Sequence, residues 1–209
     1  MFADRTDAGK RLATELERQG IDADLVLAIP RGALPVARPV ADALEAELDV
    51  VVARKMGAPN NPELALGAVA SDGTVWRNDD LIAQLGVGEQ YLEDVRTTEA
   101  ENARQKADRY RNAEDMPNLE GKRVIVVDDG VATGATATAC LRQVRAGDAA
   151  AVVLAVPVGS PSAVEALRSD ADDVIALRTP GNFRAVGQYY RDFGQVSDRE
   201  AIEYLETGE

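Results

Sequence analysis

The run Val124-Ile125-Val126-Val127, followed at once by Asp128 and Asp129, restricts the possible folds more than any other stretch of the chain. Consecutive β-branched apolar residues leave no polar face, which is the pattern of a parallel strand covered on both sides. Such a strand needs helices around it, so an α/β protein with a mostly parallel sheet is expected. Behind the aspartates, Thr133-Gly134-Ala135-Thr136 offers hydroxyls and unobstructed backbone N–H groups where an Ala-rich helix begins, and a helix start of that kind attracts an anion. The carboxylates cannot themselves favour an anion at close range. They are suited to accept hydrogen bonds from vicinal hydroxyls, or to lie near a metal that accompanies phosphates. Acceptors for a diol beside donors for a phosphate describe a sugar-phosphate site.

The remaining pattern agrees with an α/β chain. Thr6 to Gln19 carries Leu12 and Leu16 at helical spacing, and Gly20 is a C-terminal stop. Leu25 to Ile29 reads as a buried strand, Pro30-Arg31-Gly32-Ala33 as a tight loop, the following Ala/Val/Leu segment as a helix to about Glu47, and Leu48 to Ala53 as the next strand. Arg54 to Pro62 has loop composition, and Leu66–Ser71 with Thr74–Arg77 reads as a hairpin turning at Asp72-Gly73. A loop that long inside a compact domain is usually mobile or functional. Asn78 caps a short helix, Glu89 to Arg111 is a long charged helix, and Ala150 to Val156 is a further apolar strand. Ser160-Pro161 starts a helix to about Arg168, Val174 to Leu177 is the last strand, and Ser197 with Glu200 forms a capping box for a C-terminal helix. Ligands of such sheets bind beyond the carboxyl ends of the strands, where Arg31, Arg54, Lys55 and Thr133 all fall.

Composition removes whole classes of function. The chain has 209 residues, 45% of them hydrophobic, enough for one domain with a full core. Histidine is absent and Cys140 is the only cysteine, so imidazole chemistry, zinc cages and intramolecular disulfides are excluded, and Cys140 reads as an ordinary buried thiol. A formal charge of −13 argues against a nucleic-acid partner. There is no apolar run long enough to span a bilayer and no leader pattern at the N-terminus, so a cytoplasmic, membrane-free protein is expected. Lysine is confined to Lys10, Lys55, Lys106 and Lys122, and with abundant Asp, Glu, Ala and Val the composition resembles that of proteins from extreme halophiles. A P-loop is missing, and Gly86-Val87-Gly88 lacks both the third glycine and the preceding strand of a dinucleotide fingerprint.

The segment Val124 to Thr136 resembles the phosphoribosyl-pyrophosphate (PRPP) signature of type I phosphoribosyltransferases: an apolar strand, two acidic residues, a spacer, then Thr-Gly-x-Thr. The resemblance extends over roughly residues 21 to 180 and implies a twisted, mostly parallel sheet with helices on both faces, a flexible loop over about 54–77 and a hood from about 180 to the C-terminus, all in one domain over 1–209. It implies that Asp128 and Asp129 hold the ribose hydroxyls and that Ala132, Thr133, Gly134, Ala135 and Thr136 wrap the 5′-phosphate. Pro30-Arg31-Gly32 is similar to the family's pyrophosphate loop, in which a cis peptide is common, and Arg54-Lys55 is similar to the basic pair of orotate and adenine enzymes. Arg31, Gly32, Arg54 and Lys55 would then receive pyrophosphate, with Asp128, Asp129, Arg54 and Lys55 the catalytic set. Mg²⁺ is the implied cofactor, held mainly through PRPP and water, and a homodimer is the implied assembly.

The implied reaction moves the 5-phosphoribosyl group of PRPP to an unidentified nitrogenous base or amine, as in nucleotide salvage. A PRPP-sensing or nucleotide-sensing regulator of the same fold and a phosphoribosyl-bond hydrolase are the alternatives. Ala132 stands where 6-oxopurine enzymes carry an aspartate, which points away from hypoxanthine and guanine. Glu63 is a candidate acid or base on the mobile segment. Phe183, Tyr189, Tyr190 and Phe193 either stack on a base or form a satellite core that anchors the C-terminus.

Overall fold

The computed structural model describes residues 1–206, apart from the side chain of Glu63, so the candidate acid or base lies outside the described residues. In chain order the elements are α1 (Arg5–Gln19), β1 (Leu25–Ala28), α2 (Leu34–Ala43), β2 (Glu47–Val50), β3 (Ala53–Ala58), β4 (Asn61–Ala70), β5 (Val75–Arg77), α3 (Asp79–Leu85), α4 (Glu89–Tyr110), β6 (Arg123–Val127), α5 (Ala135–Ala146), β7 (Ala151–Val158), α6 (Pro161–Leu167), β8 (Asp173–Arg178) and α7 (Asp198–Glu206), with a 3₁₀ turn at Val186–Tyr189.

The apolar runs form one parallel sheet in the order β2-β1-β6-β7-β8, flanked by helices, as expected. Leu25 to Ala28 and Val124 to Val127 are buried throughout, which is why their sequence carries no alternation. Chain direction reverses its progress across the sheet between β1 and β6: β2 lies on one side of β1, while β7 and β8 continue beyond β6. Ala28 is in register with both Val50 and Val127, so the chain leaves all of β1, β2 and β6 at the same level. The loops starting at Ile29, Val51 and Asp128 therefore emerge side by side at a topological switch point, the usual place for a ligand in such sheets.

Local signals read from the sequence are realised in hydrogen bonds. Gly20 ends α1 at φ 69°, Asn78 caps α3 through the Leu81 N–H, and Ser160 caps α6 through the Ala163 N–H. The capping box is reciprocal, with the Ser197 N–H donating to Glu200 and the Glu200 N–H to the Ser197 hydroxyl.

Three boundaries differ from expectation. The second helix, expected to reach about Glu47, stops at Ala43, and Glu47 already opens β2. The second strand stops at Val50, and Ala53 already belongs to a separate antiparallel sheet, β3-β4-β5. Arg54 to Ala58 and Asn61 to Pro62, expected as loop, are paired strand, and the expected hairpin is its β4-β5 half. The small sheet has its own apolar cluster, with Met56, Leu66 and Val69 packed against Ile82 of α3 and Leu92 of α4. That tertiary burial outweighs the Gly, Pro and Asn content that suggested a loop.

Candidate functional site

Asp128 and Asp129 sit directly beyond β6, where the chain turns out of the sheet. The Asp129 N–H donates to the Asp128 carboxylate at 2.8 Å, which turns that side chain back over the strand end. Burial holds Asp128 well above the usual carboxylate range, and the neighbouring Asp129 charge adds to the effect; Lys106 and Lys55 oppose it. Asp129 is also raised by burial, but the Arg5 guanidinium counteracts this.

The two carboxylates have different surroundings. Asp129 Oδ2 accepts from Arg5 Nε at 2.8 Å, Arg5 also donates to the Gly194 carbonyl at 2.8 Å, and its guanidinium lies 3.8 Å from the centre of the Phe193 ring. The Tyr190 hydroxyl donates to the Asp129 carbonyl at 2.6 Å. Asp129 is thus bound to the N-terminal helix and to the C-terminal segment together, while among the described residues the Asp128 carboxylate accepts only from the neighbouring N–H. Gly32 lies against the same carboxylate, and a Cβ there would collide with Asp129 Oδ2. This is the physical reason for a glycine in the Pro30-Arg31-Gly32 loop, whose Pro30–Arg31 peptide is cis, as the resemblance implied.

The signature loop is held from behind. The Ser160 hydroxyl donates to the Ala132 carbonyl at 2.7 Å, and the Ser160 N–H donates to the Val131 carbonyl at 2.9 Å. Gly134 turns the chain at φ 80° into α5, whose N-terminus has no side-chain cap. Its first turn lines a cavity beside the exposed Thr133 with no side chain capping it, as an anion site requires.

Two cavities meet here. One of about 550 Å³ is lined by Arg31, Gly32, Arg54, Lys55, Lys106, Asp128 and Asp129 among others. The second, about 200 Å³, is enclosed by Gly130 to Ala137, with Lys55, Asp128 and Val186. Lys55, Asp128 and Thr136 belong to both. The structure thus gathers the residues that the signature and the two basic loops nominated, with Arg54 and Lys55 delivered by strand β3 rather than by a loop. Arg54 donates to Glu99 at 3.0 Å, and Arg31 reaches Asp198 at 3.4 Å, a carboxylate already taken by Tyr110 at 2.7 Å and Arg109 at 2.8 Å.

Several participants escaped the sequence reading. Arg5, Lys106, Glu99 and Asp198 come from α1, α4 and α7, whose charged residues look like solvated helix faces. For Lys106 a signal existed: it stands next to Ala107 and three residues after Ala103, on the rim of the buried stripe of α4. The aromatic cluster is resolved as a satellite core. Phe2 and Tyr190 are buried, their ring centroids 5.3 Å apart, with Phe183, Tyr189 and Phe193 packed against them. Cys140 is buried within α5. No helix among the described residues is long and apolar enough to cross a membrane.

Comparison with known proteins agrees with this geometry. Proteins of two Mycobacterium tuberculosis strains, CDC 1551 and H37Rv, each bearing the name "Putative phosphoribosyl transferase", are 43% identical over 206 residues, which is 99% of this chain and 46% of theirs. The chain therefore spans about half the length of these curated relatives. The crystal structure of TT1426 from Thermus thermophilus is 44% identical, covers 98% of this chain and 97% of its own, and superposes with a TM-score of 0.83. A hypothetical protein from Neisseria gonorrhoeae, solved with bound ppGpp, shares the fold at 17% identity and a TM-score of 0.52, with 100% of this chain and 99% of that one covered. The phosphoribosyl transferase domain profile matches residues 3–193, and the chain belongs to that family.

Proposed function

We propose that this domain transfers the 5-phosphoribosyl group of PRPP to a nitrogenous base or amine. The observation that carries the reading is the pair of joined cavities, one cationic and one built on a helix start, with Asp128 at the junction. PRPP has the same layout: a pyrophosphate on C1, a diol in the middle and a phosphate on C5. In this reading Asp128 and Asp129 accept from the ribose hydroxyls. Ala132 to Thr136 hold the 5′-phosphate, and Arg31, Gly32, Arg54 and Lys55 face the pyrophosphate.

The bond from C1 to the pyrophosphate oxygen breaks, the electron pair leaves with pyrophosphate, and the acceptor nitrogen forms the new bond to C1 as its proton passes to water or to the released pyrophosphate. Positive charge grows on the ribose ring in the transition state. The carboxylates placed for the ribose and the cations at the leaving group would favour that distribution without reorganising, and this preorganisation would supply most of the rate. Among the described residues no group of three or more His, Cys, Asp or Glu side chains gathers to hold a metal, and Asp129 is already paired with Arg5. In this proposal Mg²⁺ would enter with PRPP and be held mainly through PRPP and water. Its contribution would be to neutralise charge on the pyrophosphate. Localisation in the cytoplasm, a homodimer and a place in nucleotide salvage belong to the same proposal.

The test is a PRPP and Mg²⁺ turnover screen in high salt against purines, pyrimidines and small amines, with Asp128→Asn as control. Pyrophosphate release that requires an added acceptor supports transfer. Release without acceptor indicates hydrolysis, and tight PRPP binding with no release indicates a regulatory module. Full activity in the control would remove Asp128 from the site.

A further inference from the structure

Lys106 is a cation in the larger cavity that no part of the signature supplies. Other basic residues of α4 are neutralised by carboxylates: Arg96 pairs with Glu93, Arg104 with Glu101 and Arg109 with Asp198. Lys106 has a neutral partner instead. Its Nζ donates to the Pro30 carbonyl at 2.7 Å, and no other hydrogen bond or ion pair is made by it among the described residues. An ammonium carries three donors, and a single carbonyl takes one of them.

Its surroundings are unfavourable for a cation as they stand. Burial and the charges of Arg54 and Arg31 lower its pKa, while Asp198 acts in the opposite direction. Lys55 lines the same cavity. Arg54 and Arg31 each reach a carboxylate, Glu99 and Asp198, so Lys55 and Lys106 are the cations of this cavity left without an ion pair among the described residues, and a polyanion entering that space would supply one. A protein of net charge −13 has few cations to spare, and Lys106 is one of its four lysines.

We infer that Lys106 is a pyrophosphate-binding residue, tying down the Pro30 carbonyl with one N–H and offering the others to the leaving-group oxygens beside Arg31 and Arg54. The inference rests on the PRPP reading of the cavity and extends it to a residue outside the signature. It is distinct from a role as a mere prop for the loop. Because that loop itself faces the pyrophosphate, a prop would also act at that end; a prop needs only the hydrogen bond to the Pro30 carbonyl, which a neutral donor can make, whereas a pyrophosphate ligand needs the charge.

Calorimetric titration of the full chain with Mg²⁺-pyrophosphate, PRPP and ribose 5-phosphate separates these roles. Lys106→Met is expected to weaken pyrophosphate and PRPP by about tenfold or more, the scale of a charge-assisted hydrogen bond, and to leave ribose 5-phosphate within about twofold. Lys106→Arg is expected to retain most of the pyrophosphate affinity. Unchanged pyrophosphate binding in Lys106→Met, or an equal loss of pyrophosphate and ribose 5-phosphate, overturns the inference. Lys106→Gln, which can still donate to the Pro30 carbonyl but carries no charge, is expected to lose pyrophosphate affinity as Lys106→Met does; retained pyrophosphate affinity in Lys106→Gln makes Lys106 a prop for the loop and overturns the inference. A native protein that binds pyrophosphate through Lys106 yet turns over PRPP with no acceptor sinks the transfer reading and leaves this one standing. A native protein with no affinity for pyrophosphate overturns this one.

Discussion

Replacing Arg5 by Met tests whether the first helix holds the second aspartate of the signature. The pair is mostly enclosed, with the Arg5 and Asp129 side chains 11% and 16% exposed, so solvent cannot replace the lost partner well. Removing one member of a buried ion pair costs about 3–5 kcal/mol, because the other charge is left uncompensated. The residual exposure reduces that to about 2–3 kcal/mol. Loss of the bond to the Gly194 carbonyl and of the contact with the Phe193 ring adds about 1 kcal/mol. Met keeps the apolar stem in place, so the variant is expected to lose about 3 kcal/mol. For a chain of this size that is a fall in Tm of about 6–12 °C.

The pH dependence separates electrostatics from packing. Asp129 already titrates above the usual aspartate range in the folded protein, because of burial, and without Arg5 it rises further. A carboxylate raised on folding makes the native state bind more protons than the unfolded state, so stability falls as pH rises through that window. The deficit of Arg5→Met is therefore largest at neutral pH. It shrinks as the solution is acidified towards the ordinary aspartate value of about 3.9, where only about 1 kcal/mol of lost packing remains. Asp128 shares the titration, so the midpoint belongs to the pair. Chemical denaturation of both proteins at several pH values measures the difference directly, and exposed carboxylates such as Glu15 and Asp24, both lowered to about 2, cancel in it. A deficit that stays constant from neutral pH down, or that is below about 0.5 kcal/mol, refutes the reasoning. In a double-mutant cycle with Asp129→Asn, the coupling is expected to reach about 2 kcal/mol.

Asp128→Asn is expected to do the reverse to stability while abolishing function. It removes a carboxylate that burial and Asp129 have already pushed up, so Tm at neutral pH should rise by a few degrees, with the gain fading in acid, and PRPP affinity by calorimetry should drop about tenfold or more. Gly134→Ala places a Cβ at φ 80° and 3.3 Å from Leu167, which is expected to cost about 1–2 kcal/mol in denaturant titration and to weaken ribose 5-phosphate more than pyrophosphate. At low ionic strength the charge of −13 repels PRPP, whereas at about 1 M salt the Debye length is only about 3 Å and contacts within the pocket alone still act. PRPP affinity is therefore expected to improve from millimolar to molar salt, and steady weakening of a folded protein over that range would count against it.

What could be read from the sequence, and what could not, follows from the range of the interactions involved. The strand Val124 to Val127 declares itself because burial on both faces forbids polar residues, and the loop behind it declares itself because Gly134 must adopt a left-handed turn. Caps at Asn78, Ser160 and Ser197 are equally legible, since each is satisfied within three residues. The strand at Arg54 to Ala58 was not, because its support comes from β4 and from α3 and α4, and its own glycine and proline neighbours suggest a loop. The partners of the aspartates were hidden for the same reason. Arg5 and Asp129 are separated by 124 positions, and Lys106 and Pro30 by 76, so no window of sequence contains both members. Such pairs exist only once the register of β1 against β6 has placed Ala28 beside Val127. The signature residues are thus local in sequence and the groups that tune them are remote. Substitutions at Arg5 or Lys106 would leave every sequence motif intact while changing the charge and position of the groups that make up the site.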